Sequence, residues 1–125
     1  MIVADERAAR FVSEVLGVGF VPPYTALALE KDGKIVAGVL FNVFEACAVH
    51  VSVAGKGWTR GFLRAVGEYV YDTLGYERMT FVTEHDAVAK LAVRLGGQVE
   101  GRMRGHFGNG RDAIIVGVLR DEYRY

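Results

Sequence analysis

The sequence predicts an α/β (α+β) fold, a mixed and mostly antiparallel sheet of about six strands with helices on both faces. Three observations lead there. Asp32-Gly33, the dipeptide best suited to a two-residue hairpin, separates two apolar runs, Ala26 to Lys31 and Lys34 to Phe44. An apolar strand carrying Val49, Val51 and Val53 enters the glycine turn Ala54-Gly55-Lys56-Gly57-Trp58-Thr59 and then a long amphipathic helix. The whole chain reads as helix, three strands, helix, strand, helix and two strands, with no internal repeat or linker, so one domain spanning 1–125 is expected.

In order, Asp5 caps a helix whose apolar positions Ala8, Phe11, Val12, Val15 and Leu16 recur at helical spacing, and Gly17 stops it. The paired prolines of Gly19-Phe20-Val21-Pro22-Pro23-Tyr24 impose an extended connection with two aromatics, which can line a pocket or simply pack. The second hairpin strand is nearly continuous in Ile35, Val36, Val39, Leu40, Phe41 and Val43, which calls for cover on both faces. Glu45-Ala46 reads as a tight turn into the strand Cys47 to Val53, with Cys47 as a buried small hydrophobe. The helix opening at Trp58 or Thr59 sets Phe62, Leu63, Val66, Tyr69, Val70, Thr73 and Leu74 on one face and Arg60, Arg64, Glu68 and Asp72 opposite, and Gly75 ends it. Arg78 to Val82 is a strand. Asp86 caps a further helix with Val88, Leu91, Ala92 and Leu95 inward, terminated by Gly96-Gly97. Val99 to Phe107 and Ala113 to Leu119 flank the glycine-rich turn Gly108-Asn109-Gly110.

Hydrophobic residues make up 51% of the chain and aromatics 11%, ample for a core and against disorder. Lys plus Arg equals Asp plus Glu at 15 each, which removes the bulk electrostatic case for nucleic acid or an anionic membrane. The longest apolar run, Ala113 to Leu119, is too short to span a bilayer, and the acidic Asp5-Glu6 does not fit a signal peptide, so a cytoplasmic protein is expected. A single Cys excludes an intramolecular disulfide, and the three His show no ligand spacing, so no metal is expected.

Strand, glycine turn and helix together form an anion-binding arrangement. The first amides of a helix have no intrahelical partner and carry the positive end of its dipole, and glycine lets a phosphate approach the backbone. The same turn also occurs as a plain tight connection. It is not a Walker loop, because Gly57 follows Lys56 where Ser or Thr is required.

Several short matches make the chain resemble the GCN5-related N-acetyltransferases (GNAT), most closely their short phage and prophage members, from about Ala26 to Arg120. They are Gly57-Trp58-Thr59-Arg60-Gly61-Phe62-Leu63-Arg64, Arg94-Leu95-Gly96, Glu100-Gly101-x-x-Arg104 and Gly110-x-Asp112-x-Ile114. The resemblance implies a GNAT-like acyl-CoA fold, acetyl-CoA as co-substrate, and transfer of an acetyl group to an amine acceptor of unknown identity. In that family a Gln/Arg-x-x-Gly-x-Gly/Ala turn binds the pyrophosphate through backbone amides. Cofactor binding is thereby assigned to Val51, Val53, Ala54, Gly55, Lys56, Gly57, Trp58, Thr59 and Arg60. Two registers fit, Ala54/Gly57/Thr59 and Ser52/Gly55/Gly57, and the spacing to Phe62-Leu63 favours the first. Neither begins with Gln or Arg; Lys56 or Arg60 can supply the charge, or each can be a solvated surface cation. Trp58 packs beside the cofactor or shields the turn.

The family's Asn at the start of the next helix, and the Tyr two turns later that protonates the departing thiolate, fall on His85 and Ala92. Candidate bases are Glu45 and His50, which bracket the central strand, and Glu84 and His85, which follow the next one, all near where two strands should splay to admit pantetheine. Titration in the useful range favours the histidines. Tyr24 and His106 are substitutes for the acid. Which side of its strand faces the cleft, and so where His50 points, stays open at this level. The region before the hairpin is short for an acetyltransferase, so an open acceptor side is expected, suited to a macromolecular acceptor or to a pocket completed in a homodimer. The alternative is a domain of this fold that binds without catalysis, motivated by the missing Tyr and Gln/Arg.

Overall fold

The structure is a computed structural model and describes residues 1–125. The first helix, α1 (Glu6–Leu16), starts where the Asp5 side chain accepts the Arg7 amide and stops at Gly17, whose φ of 66° leaves the helical region. Ahead of it a two-residue strand, β1 (Ile2–Val3), pairs with β2 (Tyr24–Lys31). β2 and β3 (Lys34–Asn42) turn at Asp32 and Gly33, whose φ values of 51° and 78° are those a twisted two-residue hairpin demands. β4 (Ala48–Gly55) continues the meander and leads into α2 (Arg60–Gly67). β5 (Arg78–Thr83), α3 (Asp86–Arg94), β6 (Gln98–Met103) and β7 (Ala113–Leu119) complete the chain with a short 3-10 turn at Arg120–Glu122.

The seven strands form one sheet in the order β1-β2-β3-β4-β5-β7-β6, antiparallel throughout except for β4 and β5. A parallel pair needs a crossover, and α2 supplies it; α3 crosses from β5 over β7 to β6. Crossovers of the same hand put both helices on one face. There Phe62, Leu63, Val66, Val70, Ala89, Leu91 and Ala92 meet Val49, Val51, Val53, Met79, Phe81, Val116 and Val118 in the main core. α1 takes the other face, burying Ala8 against Ala26 and Ala28, and Val12 against Leu40 and Ala54. Alternation along β4 therefore points His50 and Ser52 toward the α1 side. α1 lies over β2, β3 and β4, so the same face of β5, β7 and β6 carries no helix. No helix is long and apolar enough to cross a membrane.

Five details differ from the sequence reading. There are seven strands, because Ile2–Val3 is too short to show any periodicity. Cys47 is exposed, since it sits in the turn ahead of β4 rather than inside the strand. His85, not Asp86, is the residue before α3, and no side chain caps that helix. β6 ends at Met103, and a longer loop, tied by the Gly105 amide on Asp112 Oδ1 at 2.9 Å, replaces the expected hairpin turn. Finally, α2 becomes a π-helical segment over Glu68–Thr73, where the Leu74 amide reaches back to the Tyr69 carbonyl. The extra residue per turn rotates Tyr71 inward. Its buried hydroxyl donates to the Val118 carbonyl at 2.7 Å, and burial pushes the phenol pKa up.

Tyr71→Phe leaves that carbonyl without its donor inside the core and should cost about 1–2 kcal/mol. In denaturant titration the midpoint should fall with the slope unchanged; no shift would show that the phenol contributes only its ring.

Candidate active site

β4 and β5 are paired only at Ala48/Arg78, Val49/Met79 and His50/Thr80. Beyond these, each strand follows its outer neighbour: β4 stays with β3 as far as Gly55, and β5 with β7 as far as Thr83. Gly55 fixes the end of β4 against β3. Its φ is 88°, and a Cβ there would collide with the Val36 carbonyl oxygen and crowd the Ala37 Cα, so only glycine lets the end of β4 lie so tightly on β3. The Lys56 amide adds a 3.0 Å bond to the same Val36 carbonyl. Past His50 and Thr80 the two parallel strands part, and a cavity of about 270 Å³ opens between them.

Val51, Ser52 and Val53 form one wall of the cavity and Phe81, Val82 and Thr83 the other. Leu16, Val18 and Phe20 close it from the α1–β2 connection, and Phe107 and Arg111 from the β6–β7 loop. The Phe20 aromatic noted in the proline loop thus does line a pocket. At the rim β4 runs straight into the glycine turn. Thr59 caps α2 by accepting the Phe62 amide at 3.1 Å, and the Leu63 amide bonds the Thr59 carbonyl. The amides of residues 57 to 61 meet no protein acceptor. Such a run of free donors at a helix start suits an anion.

The two glycines differ. Gly57 has a φ of 84° with open space where a Cβ would stand, so its backbone, not its surroundings, requires glycine. Gly57 and Thr59 of the register Ala54/Gly57/Thr59 lie on the free amides, whereas Ala54 and Gly55 are paired with Gly38 and Ala37 of β3. Val51 and Val53 belong to both the core and the cavity wall, and Ala54 is buried under α1. Trp58 stacks on Phe62 at 5.7 Å, which turns it toward the core. Lys56 is exposed, while the Arg60 guanidinium lies over the Tyr125 ring at 5.6 Å.

The four candidate bases divide into two pairs. Glu84 and His85 reach the cavity wall together. Glu84 is gripped by Arg111 through two bonds of 2.6 and 2.8 Å, which hold its carboxyl below the usual range and make it a weaker base. His85 is exposed and anchored by its amide on Thr83 Oγ1 at 3.0 Å. His50 stands at the last paired position below the opening, and Glu45 lies in the exposed loop ahead of β4; neither lines the cavity. Partial burial lowers the His50 pKa, and the nearby Glu45 charge opposes that effect.

Ala92 is fully buried in the core. Tyr24 is exposed at the start of β2, and His106 packs edge-on to Phe107 in the β6–β7 loop, so neither of these two lines the cavity. Arg111 escaped the sequence reading; it occupies the unspecified position of Gly110-x-Asp112, and nothing local signals its partner 27 residues away.

No protein-family model matches the sequence, and no curated protein matches it. Solved structures do. A single-substitution variant of spermidine N-acetyltransferase SpeG from Vibrio cholerae superposes with a TM-score of 0.79 over 98% of this chain and 95% of that one, at 13% identity. The spermidine/spermine N-acetyltransferase SpeG from Vibrio cholerae in complex with manganese ions gives 0.77 over 97% and 92%, also at 13% identity. A chimera of Vibrio cholerae SpeG and hSSAT gives 0.76 over 98% and 97%, at 15% identity. Likeness at such low identity shows the fold, which is the acetyltransferase fold that the resemblance implied.

The environment of His50 makes stability depend on pH. Because its folded pKa lies below the ordinary 6.5, the unfolded imidazole binds a proton first as pH falls, so the folded state loses stability from about pH 7 toward pH 5. His50→Gln should flatten the melting-temperature profile in that window and leave it unchanged at pH 8; an unchanged slope would count against the assignment.

Proposed function

We propose that the chain is an acyl-CoA-dependent N-acyltransferase that moves the acetyl group of acetyl-CoA to an amine. The observation that carries this reading is the cavity between β4 and β5, opening at the strand end whose following turn offers free amides from residue 57 to residue 61. An unpaired strand edge, Val51 to Val53, suits the amide-bearing arm of the co-substrate, and the free amides with Lys56 and Arg60 suit its pyrophosphate. When bound, acetyl-CoA supplies the activated acyl group as a thioester.

The residues of this chain then have separate tasks. Gly55 holds the end of β4 on β3, and Gly57 leaves room for a phosphate at the turn. His85, the imidazole on the cavity wall, takes the proton that the amine nitrogen releases as its bond to carbon forms and the bond to sulfur breaks. Glu84, neutralised by Arg111, is assigned no proton transfer. The face of β5, β7 and β6 left bare by α1 gives the acceptor, or a second copy of the chain, access to the opening. Spermidine, named for the structural neighbours, is the reference acceptor against which other amines are compared. The buried Ala92 at the position of the family's acid favours the alternative of a domain that binds acetyl-CoA without turnover.

Calorimetric titration with acetyl-CoA should show micromolar binding, on the order of 8 kcal/mol. Gly57→Glu should abolish it, whereas Gly57→Ala, which shares the strained φ but not the charge, should retain most of it. With an amine acceptor, His85→Ala should lower kcat by roughly a hundredfold or more. Absence of binding at millimolar acetyl-CoA would overturn the reading, and binding with no thiol release from any amine would leave the non-catalytic alternative.

A further inference from the structure

On the premise of the acetyltransferase reading, we infer that the acceptor is a primary amine on an apolar body with no second positive charge, and that Arg111 sets this preference by occupying Glu84. The wall opposite the strand edges is apolar, made of Leu16, Val18, Phe20 and Phe107. Two formally charged side chains reach the cavity, Glu84 and Arg111, and they are spent on each other. Arg111 Nε donates to Glu84 Oε2 at 2.8 Å and its Nη2 donates to Oε1 at 2.6 Å, so both carboxylate oxygens are taken by one guanidinium fork.

A diamine that enters this space brings one nitrogen that reacts as the neutral amine and another that stays an ammonium. The second cation gives up part of its hydration against an apolar wall, with no unpaired carboxylate there to receive it. Glu84 is already neutralised by that fork, so a second cation gains less from it, and the guanidinium beside it repels a further positive charge. An alkyl or aryl body in the same place instead gains from burying its apolar surface against that wall. The wall thus favours an uncharged tail on the amine, whatever the size of the rest of the molecule.

Isosteric probes test this directly. Acetylation of n-pentylamine and of 1,4-diaminobutane, which differ by a methyl group against an ammonium, should give kcat/KM values separated by about tenfold or more in favour of n-pentylamine. Arg111→Met frees the carboxylate and should narrow or reverse that ratio; adding Glu84→Gln to Arg111→Met should restore the preference for the monoamine. Calorimetric binding of acetyl-CoA should remain detectable in the same variants, showing that each is folded with its cleft formed. Equal or better use of the diamine by the native chain, or a ratio that Arg111→Met leaves alone, would overturn the inference while the acetyltransferase reading stands. Acetyl-CoA binding with turnover of neither probe would overturn it as well, and loss of acetyl-CoA binding in the native chain would remove the reading beneath it.

Discussion

Everything at the candidate site depends on how closely the end of β4 lies on β3. Gly55 permits an approach to the Val36 carbonyl that any side chain would block, and the Lys56 amide fastens the contact. With β4 held on that side, its other edge runs free of β5 from Val51 onward, where the apolar walls begin. The backbone then turns through Gly57 into the first, unpartnered amides of α2. A strand edge, an apolar slot and a row of donors follow from one tight backbone contact.

The parts of this that were legible in the sequence are those in which a local conformation demands a particular residue. Asp32-Gly33 announced the hairpin because its turn needs two positive φ angles, and the Gly55 to Thr59 turn announced a strand giving way to a capped helix. The apolar stripe of α2 was readable through Val70 and then missed Tyr71, because the reading assumed a constant period and the π-helical segment does not keep it. Cys47 failed for a related reason: alternation assigns a side, but not where the strand begins.

The site was less legible than the fold. His85 and Glu84 could be placed near the opening because they follow β5, whereas the side of the sheet that His50 faces required knowing which face α1 covers. The Glu84–Arg111 pair depends on the β6–β7 loop folding back across the end of β5, and no periodicity or spacing encodes that proximity. Charge that looks balanced in composition is here balanced atom to atom at the cavity wall, which bears on chemistry in a way that a count of residues does not.

The three-pair ladder between β4 and β5 also has a mechanical meaning. It divides the sheet into two plates, β1 to β4 and β5 to β7, joined to each other by a short seam of backbone pairs. On the helix side one continuous core spans both plates, so the slot is a gap in backbone pairing bridged by side-chain packing, and a ligand that enters it meets backbone groups without opening the core.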